Sequence, residues 1–218
     1  MLGTQSLGLF VVSGLLLNMT PGADTLYIVH HATHGFRKGF YAALGIGAGC
    51  IVHALAAALG LSALLAASAQ AYMVVKWIGA VYLIYLGLNM LRSAQNSVPK
   101  KSAPKHAEET IAIPTSMGAQ QIFWRGFLTN VLNPKVALFF LAFLPQFIAP
   151  DAPSHILTML FLGLVFDING TLWNIFMAWL ASGVAQRFQS LRLYSLWFKR
   201  AVGVLFVFFG GKLALTKS

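Results

Sequence analysis

The chain has 218 residues, of which 58% are hydrophobic and only 9% charged, with a mean hydropathy of +0.73. Soluble domains carry about 25% charged residues, so this composition excludes an ordinary soluble fold and points to one compact transmembrane domain over residues 1–218. The formal net charge of +10 and the pI near 10.1 do not signal nucleic-acid binding, because the basic residues fall in the connections between apolar segments.

A spanning helix needs roughly 20 mostly apolar residues. Six such segments follow in chain order, at about 5–33, 39–67, 70–92, 121–148, 155–182 and 199–215. Helices are expected, since backbone in lipid must satisfy its own hydrogen bonds, and no ten-residue alternation suggests a β-barrel. No basic stretch precedes the first segment, so it reads as a retained helix and not a cleaved signal. The single cysteine, Cys50, supports neither a disulfide framework nor a two-cysteine redox relay.

The basic residues set an expected orientation. The first connection holds Arg37 and Lys38; the third holds Arg92, Lys100, Lys101, Lys105 and Arg125; the fifth holds Arg187, Arg192, Lys199 and Arg200. The opposite face receives only Lys76, Lys212 and Lys217, while Lys135 lies inside a span. The odd connections are therefore expected in the cytoplasm and both termini outside. The third connection is polar, with Pro, Lys and Glu, and reads as a linker over about 94–119. It separates a first half, about 1–93, from a second, about 120–218. The fifth, "RFQSLRLYSLWFKR", reads either as an amphipathic helix at an anionic membrane surface or as a plain basic loop.

The halves echo each other. The first helix of each is interrupted, at "NMTPGADTL" and at "NVLNPKVAL". Thr20 precedes Pro21 and Asn133 precedes Pro134; Thr and Asn are N-cap residues, and proline is favoured at the first helical position. Both breaks are therefore expected to be capped restarts of a half-helix. Each proline also frees a carbonyl four residues earlier, at Leu17 and Asn130. His53 lies 32 residues after Pro21 and Asp167 lies 33 after Pro134, and the third helices carry the glycine pairs Gly79/Gly87 and Gly203/Gly211. Three helices per half requires the second copy to be inverted, and inverted repeats with matching broken helices are the pattern of secondary transporters, with the site at the midplane.

Asp24, Asp167 and Lys135 are the costly residues, since a charge at mid-span costs roughly 2.5–3.5 kcal/mol on insertion scales. Asp167, together with Asp24, is expected to carry a proton; the competing reading is a fixed ion pair of either acid with Lys135. The half-helix N-termini suit a carboxylate. The freed carbonyls of Leu17 and Asn130, with Asn18 and Asp24, suit an ammonium, and an amino acid offers both charges. "GIGAG" at 45–49 lies inside an apolar helix and reads as close helix packing, not as a dinucleotide loop. His30, His31 and His34 sit beside Arg37 and Lys38 and read as an interfacial cluster before a metal site. His53 is either a packed core histidine or a relay member.

These landmarks resemble the LysE/RhtB family of bacterial amino-acid exporters over almost the whole chain: "TPGADTL", "GFRKGFYAALGIGAGCIVHALAAALGLSALL", "KWIGAVYLIYLGLNMLRS", "FWRGFLTNVLNPKVALFFLAFLPQF" and "GLVFDI". The resemblance implies an all-α fold of six helices in an inverted repeat, an inner-membrane location and proton-driven efflux of amino acids or close derivatives. No nucleophile–base pairing or metal-ligand spacing supports an enzyme, and no cofactor is expected beyond the proton gradient; the expected partners are the substrate and lipid, and a homodimer is left open. Family features fall on Pro21, Gly22, Asp24, Asn133, Pro134, Lys135 and Asp167. The substrate residues expected are then Asn18, Thr20, Pro21, Gly22 and Asp24 at the first break and Asn130, Asn133, Pro134 and Lys135 at the second, with Asp167, Asp24 and His53 for proton coupling. Members exporting basic amino acids carry an acid where this chain has Cys50, which favours the homoserine/threonine/leucine-type branch. The rival within the same superfamily is a metal-ion exporter, for which only Asp24, Asp167, His53 and Cys50 offer ligands; a membrane enzyme or assembly partner has no catalytic constellation to support it.

Overall fold

A computed structural model describes residues 3–95, 117–149, 151–184, 203–204 and 207–211. Among them every regular element is helical: α1 (Leu7–Met19), α2 (Ala23–Ala32), α3 (Phe36–Ala67), α4 (Ala69–Gln95), α5 (Ala119–Val131), α6 (Pro134–Ala142) followed by a 3-10 turn at Leu144–Phe147, and α7 (His155–Val184). Most of the polar linker, the basic stretch 187–200 and most of the sixth apolar segment lie outside the described residues.

Among the described residues two helices, Phe36–Leu61 within α3 and His155–Gly183 within α7, are long and apolar enough to cross a membrane unaided. Two more spans arise if each bent pair is counted as one: α1 with α2, bent by 60°, and α5 with Pro134–Phe147, bent by 50°. The bends fall at the two breaks expected from the sequence. They are built differently, however. Asn133 is the N-cap of α6, its side-chain oxygen accepting from the Lys135 backbone N–H at 3.0 Å, with Pro134 at the first helical position. Thr20 does not cap α2. Its hydroxyl turns back and donates to the Leu16 carbonyl at 3.0 Å, its backbone N–H donates to Leu17 O, and it closes α1. The second half-helix starts only at Ala23, with Gly22 at its cap and Pro21 exposed between the two. Threonine's short hydroxyl reaches the carbonyl one turn back, and that local bond wins over the cap.

The α3 helix is the centre of the molecule, packing on α5 and α7, with α2 against both α3 and α7 and α1 against α7. The small-residue run in α3 makes this possible. A side chain at Gly45 would collide with the Phe123 carbonyl, and one at Gly49 would meet the Phe127 carbonyl at 2.7 Å, so that edge of α3 lies directly on the backbone of α5. Gly47 faces the other neighbour, where a Cβ would meet Thr171 Oγ1 at 2.5 Å on α7. Without a hydrophobic driving force between helices in lipid, close backbone approach is what holds them. Similarly, Gly87 and Gly203 meet backbone to backbone. Nearby, Gly210 lies against Ala80 and Ile84 of α4.

At one end of the bundle an aromatic cluster joins Phe10 of α1 to Phe139, Phe143 and Phe147, and Phe209 closes on Phe143 and Phe147 with centroids 4.6 and 5.6 Å apart. Beside it the chain's start forms an isolated antiparallel bridge, Thr4 to Ile148, with Gln5 N donating to Phe147 O at 2.9 Å and Ala149 N to Gly3 O at 2.8 Å.

Gly49→Ala is expected to destabilise the purified protein by about 1–3 kcal/mol, since overpacking against backbone cannot be relieved by a rotamer change. Gly60→Ala, which meets nothing within 4 Å, should leave the melting temperature unchanged or raised. Equal melting temperatures for the two variants would refute this account of α3.

Candidate functional site

The two breaks lie against one another and satisfy each other's polar groups. Lys135, just inside α6, sends its ammonium to α1, donating to Leu17 O at 3.0 Å and Thr20 O at 2.9 Å. In return, Asp24 of α2 receives the side-chain amides of Asn130 and Asn133, both on its Oδ2, at 3.0 and 2.9 Å. The Asn130 carbonyl, freed by Pro134, accepts from the Asn133 backbone N–H at 2.8 Å and faces His53 Nε2 of α3 at 2.9 Å. Because a carbonyl only accepts, that nitrogen carries the imidazole proton. The His53 ring also lies over Phe140, with centroids 6.2 Å apart.

This geometry changes the expected use of the freed carbonyls. Neither awaits a substrate ammonium: Leu17 O already holds Thr20 N–H and the Lys135 ammonium, and Asn130 O holds Asn133 N–H and His53. Nor is Lys135 committed to an ion pair with either acid; its hydrogen bonds go to carbonyls. Bare backbone at mid-span must be satisfied by protein or by a wet cavity, and here protein does it.

Between the breaks and α7 lies a cavity of about 30 Å³. That is room for ordered water and too little for an amino acid. Asn18, Gly22, Asp24, Asn130, Asn133, Lys135 and Asp167 all line it. Of the other expected residues, Thr20 contributes through its carbonyl, Pro21 and Pro134 shape the breaks from exposed positions, and His53 acts from behind Asn130. Three buried polar atoms of lining residues have no protein partner: Asp24 Oδ1, Asn130 Oδ1 and Asn18 Nδ2. Buried polar atoms are rarely left so without a role.

The far wall comes from α7: Phe166, Asp167, Gly170, Thr171 and Asn174. The Thr171 hydroxyl points to Asp167 Oδ1 at 3.4 Å, and the Cys50 thiol also contacts that carboxyl. Asn18 packs on Gly170, where a Cβ would come within 2.9 Å of its amide. Thr171 and Asn174 were missed from the sequence, although Asp167, Thr171 and Asn174 recur at helical spacing in an apolar span and so mark one polar stripe. At the far end of α2, the His30 ring meets His31 edge-on and His34 at a tilt, and the His34 ring nitrogen Nδ1 bonds to the His30 carbonyl at 2.9 Å. Among the described residues no three His, Cys, Asp or Glu side chains converge as a metal site would require.

The chain is similar to named proteins along nearly its full length. It is 31% identical to the uncharacterized membrane protein PA4757 of Pseudomonas aeruginosa, over 98% of this chain and 96% of that protein. It is 27% identical to the uncharacterized membrane protein YrhP of Bacillus subtilis, over 97% and 100%. It is 28% identical to the leucine efflux protein of an Enterobacter species, over 97% and 96%. No solved structure matches the chain. The profile of the LysE type translocator covers residues 15–217, and with the broken helices, the Asn-Pro-Lys cap and the acid of α7 in place, the chain belongs to the LysE type translocator family of membrane proteins.

Proposed function

We propose that the protein exports a neutral amino acid or a close derivative, of the threonine, homoserine or leucine kind, across the bacterial inner membrane by alternating access and proton antiport. The observation that carries this reading is the set of unpartnered polar atoms on residues that line one cavity. Asp24 Oδ1 and Asn130 Oδ1 are acceptors, fit for an ammonium, and Asn18 Nδ2 is a donor, fit for a carboxylate. The N-terminus of α2, capped only by Gly22, adds backbone donors and a positive dipole end beside the same cavity. A zwitterion answers both needs. The similarity to a leucine efflux protein and the family membership support export of an amino acid.

The six-span inverted repeat is part of this proposal. Two bent pairs in corresponding positions support it, as does the crossed packing in which α3 of the first half lies on α5 and α7 of the second lies on α1. The bridge between Thr4 and Ile148 puts the chain's start on the same face as the end of the second broken helix, as outside termini and a cytoplasmic third connection require. The Phe10–Phe139–Phe143–Phe147 cluster then closes the outer half, and the small cavity corresponds to a closed state that must open for substrate to enter. Asp167, on the opposite wall from the breaks, is the proton carrier in this scheme. Cys50 lies beside it on the lining, at the position where the resemblance places an acid in exporters of basic amino acids, and a neutral thiol there suits a neutral substrate.

Counterflow in proteoliposomes against a panel of labelled amino acids, with and without a pH gradient, tests the reading; no accumulation of any of them under either condition would sink it. Asp24→Asn should cut counterflow by roughly tenfold or more. Its amide oxygen must stay opposite Asn130 and Asn133, which turns an NH₂ toward the cavity where an acceptor is needed. Asp167→Asn should retain exchange but lose acceleration by an inward proton gradient, and a pH response matching the wild type would remove the proton role. Cys50→Asp should shift preference toward lysine or arginine, read as competition against the labelled neutral substrate.

A further inference from the structure

The break between α1 and α2 has the makings of an ion site. The helix ends at Met19, the carbonyls of Leu17 and Thr20 converge on one point, and the negative dipole end of α1 adds to their pull on a cation. In transporters with broken helices such unwound carbonyls coordinate a coupling cation. Here the point of convergence is taken by Lys135 Nζ, 3.0 and 2.9 Å from the two oxygens. These are N–H···O lengths of charge-assisted hydrogen bonds.

We propose that this break is a monovalent-cation site whose resident cation is the protein's own Lys135 ammonium. The stem that carries it comes from the other half of the molecule and is pinned at its base, where Asn133 Oδ1 holds the Lys135 backbone N–H at 3.0 Å. The same Asn133 donates through Nδ2 to Asp24 at 2.9 Å. One residue therefore fixes both the tethered cation and the acid nearest to it, and binds the α5–α6 break to the α1–α2 break. Two consequences follow. The site has no need of a dissolved cation, so transport runs without sodium. The ammonium leaves its carbonyls only when the two breaks separate, so its seat is a latch on the closed state. Two of its three donors are spent on the carbonyls, and Lys135 is also a lining residue of the cavity.

The test uses the full chain purified in detergent and needs no substrate. Lys135→Ala should lower the melting temperature by roughly 5–10 °C, because two buried carbonyls lose a charged donor. Propylammonium at tens of millimolar, which replaces the atoms removed, should restore most of that loss. Tetramethylammonium, which has no N–H, should not, and Lys135→Met, which fills the space with an apolar chain, should be insensitive to both. A melting temperature unchanged in Lys135→Ala, or restored equally by tetramethylammonium, would overturn the proposal. A second arm protects the test against misfolding of the variant and rests on the transport reading above. Wild-type counterflow should be unaffected when sodium is replaced by N-methylglucamine, and a sodium requirement would overturn the resident-cation assignment. Rescue by propylammonium with no counterflow of any amino acid would leave the cation site standing and remove the transport reading alone.

Discussion

A helix broken inside a membrane leaves polar backbone that lipid cannot satisfy, and the rest of this molecule is arranged around that constraint. Each unsatisfied group there costs several kcal/mol. The two breaks meet the demand crosswise: Lys135 serves the carbonyls of Leu17 and Thr20, Asn130 and Asn133 serve Asp24, and His53 serves the carbonyl of Asn130. Neither half-site is complete without the other, so the interruption of one helix is tolerable only in the presence of its counterpart.

Such an arrangement needs the helices to lie closer than ordinary side chains permit. Gly45 and Gly49 set α3 on the backbone of α5, Gly47 lets α7 approach from the other side, and Gly170 admits Asn18. The glycines thereby decide where the polar residues fall. With bulkier residues at these points, Asp167 and Thr171 would stand away from the breaks and the cavity would lose its far wall. Packing and chemistry are in this sense one design, with the aromatic cluster around Phe143 closing one end of it.

The positions of the breaks were legible because proline carries its consequences locally: it removes a donor and frees a carbonyl wherever it stands. Asn133 as a cap was legible for the same reason, since cap and capped N–H are two residues apart. The role of Thr20 was not legible, because its hydroxyl had two local partners, an N–H of the restart ahead from which it could accept and the carbonyl behind to which it could donate, and the sequence holds nothing that ranks them; it donates to Leu16 O. The partners of the freed carbonyls were also beyond reach. Lys135 is 118 residues from Leu17, and His53 is 77 from Asn130, and no periodicity encodes such a pairing.

By itself, then, the sequence determined what depends on near neighbours and on composition: an all-helical membrane chain, two interruptions at Pro21 and Pro134, and the small set of polar residues too costly to be idle. Only the tertiary structure decided which of these residues answer one another and which are left over. Lys135 answers the first break instead of awaiting a ligand, while Asp24 Oδ1, Asn130 Oδ1 and Asn18 Nδ2 remain without partners around one cavity. The physical reason is that hydrogen-bond satisfaction in a low-dielectric interior is settled by distances of a few ångströms between helices remote in sequence, and those distances are fixed by packing.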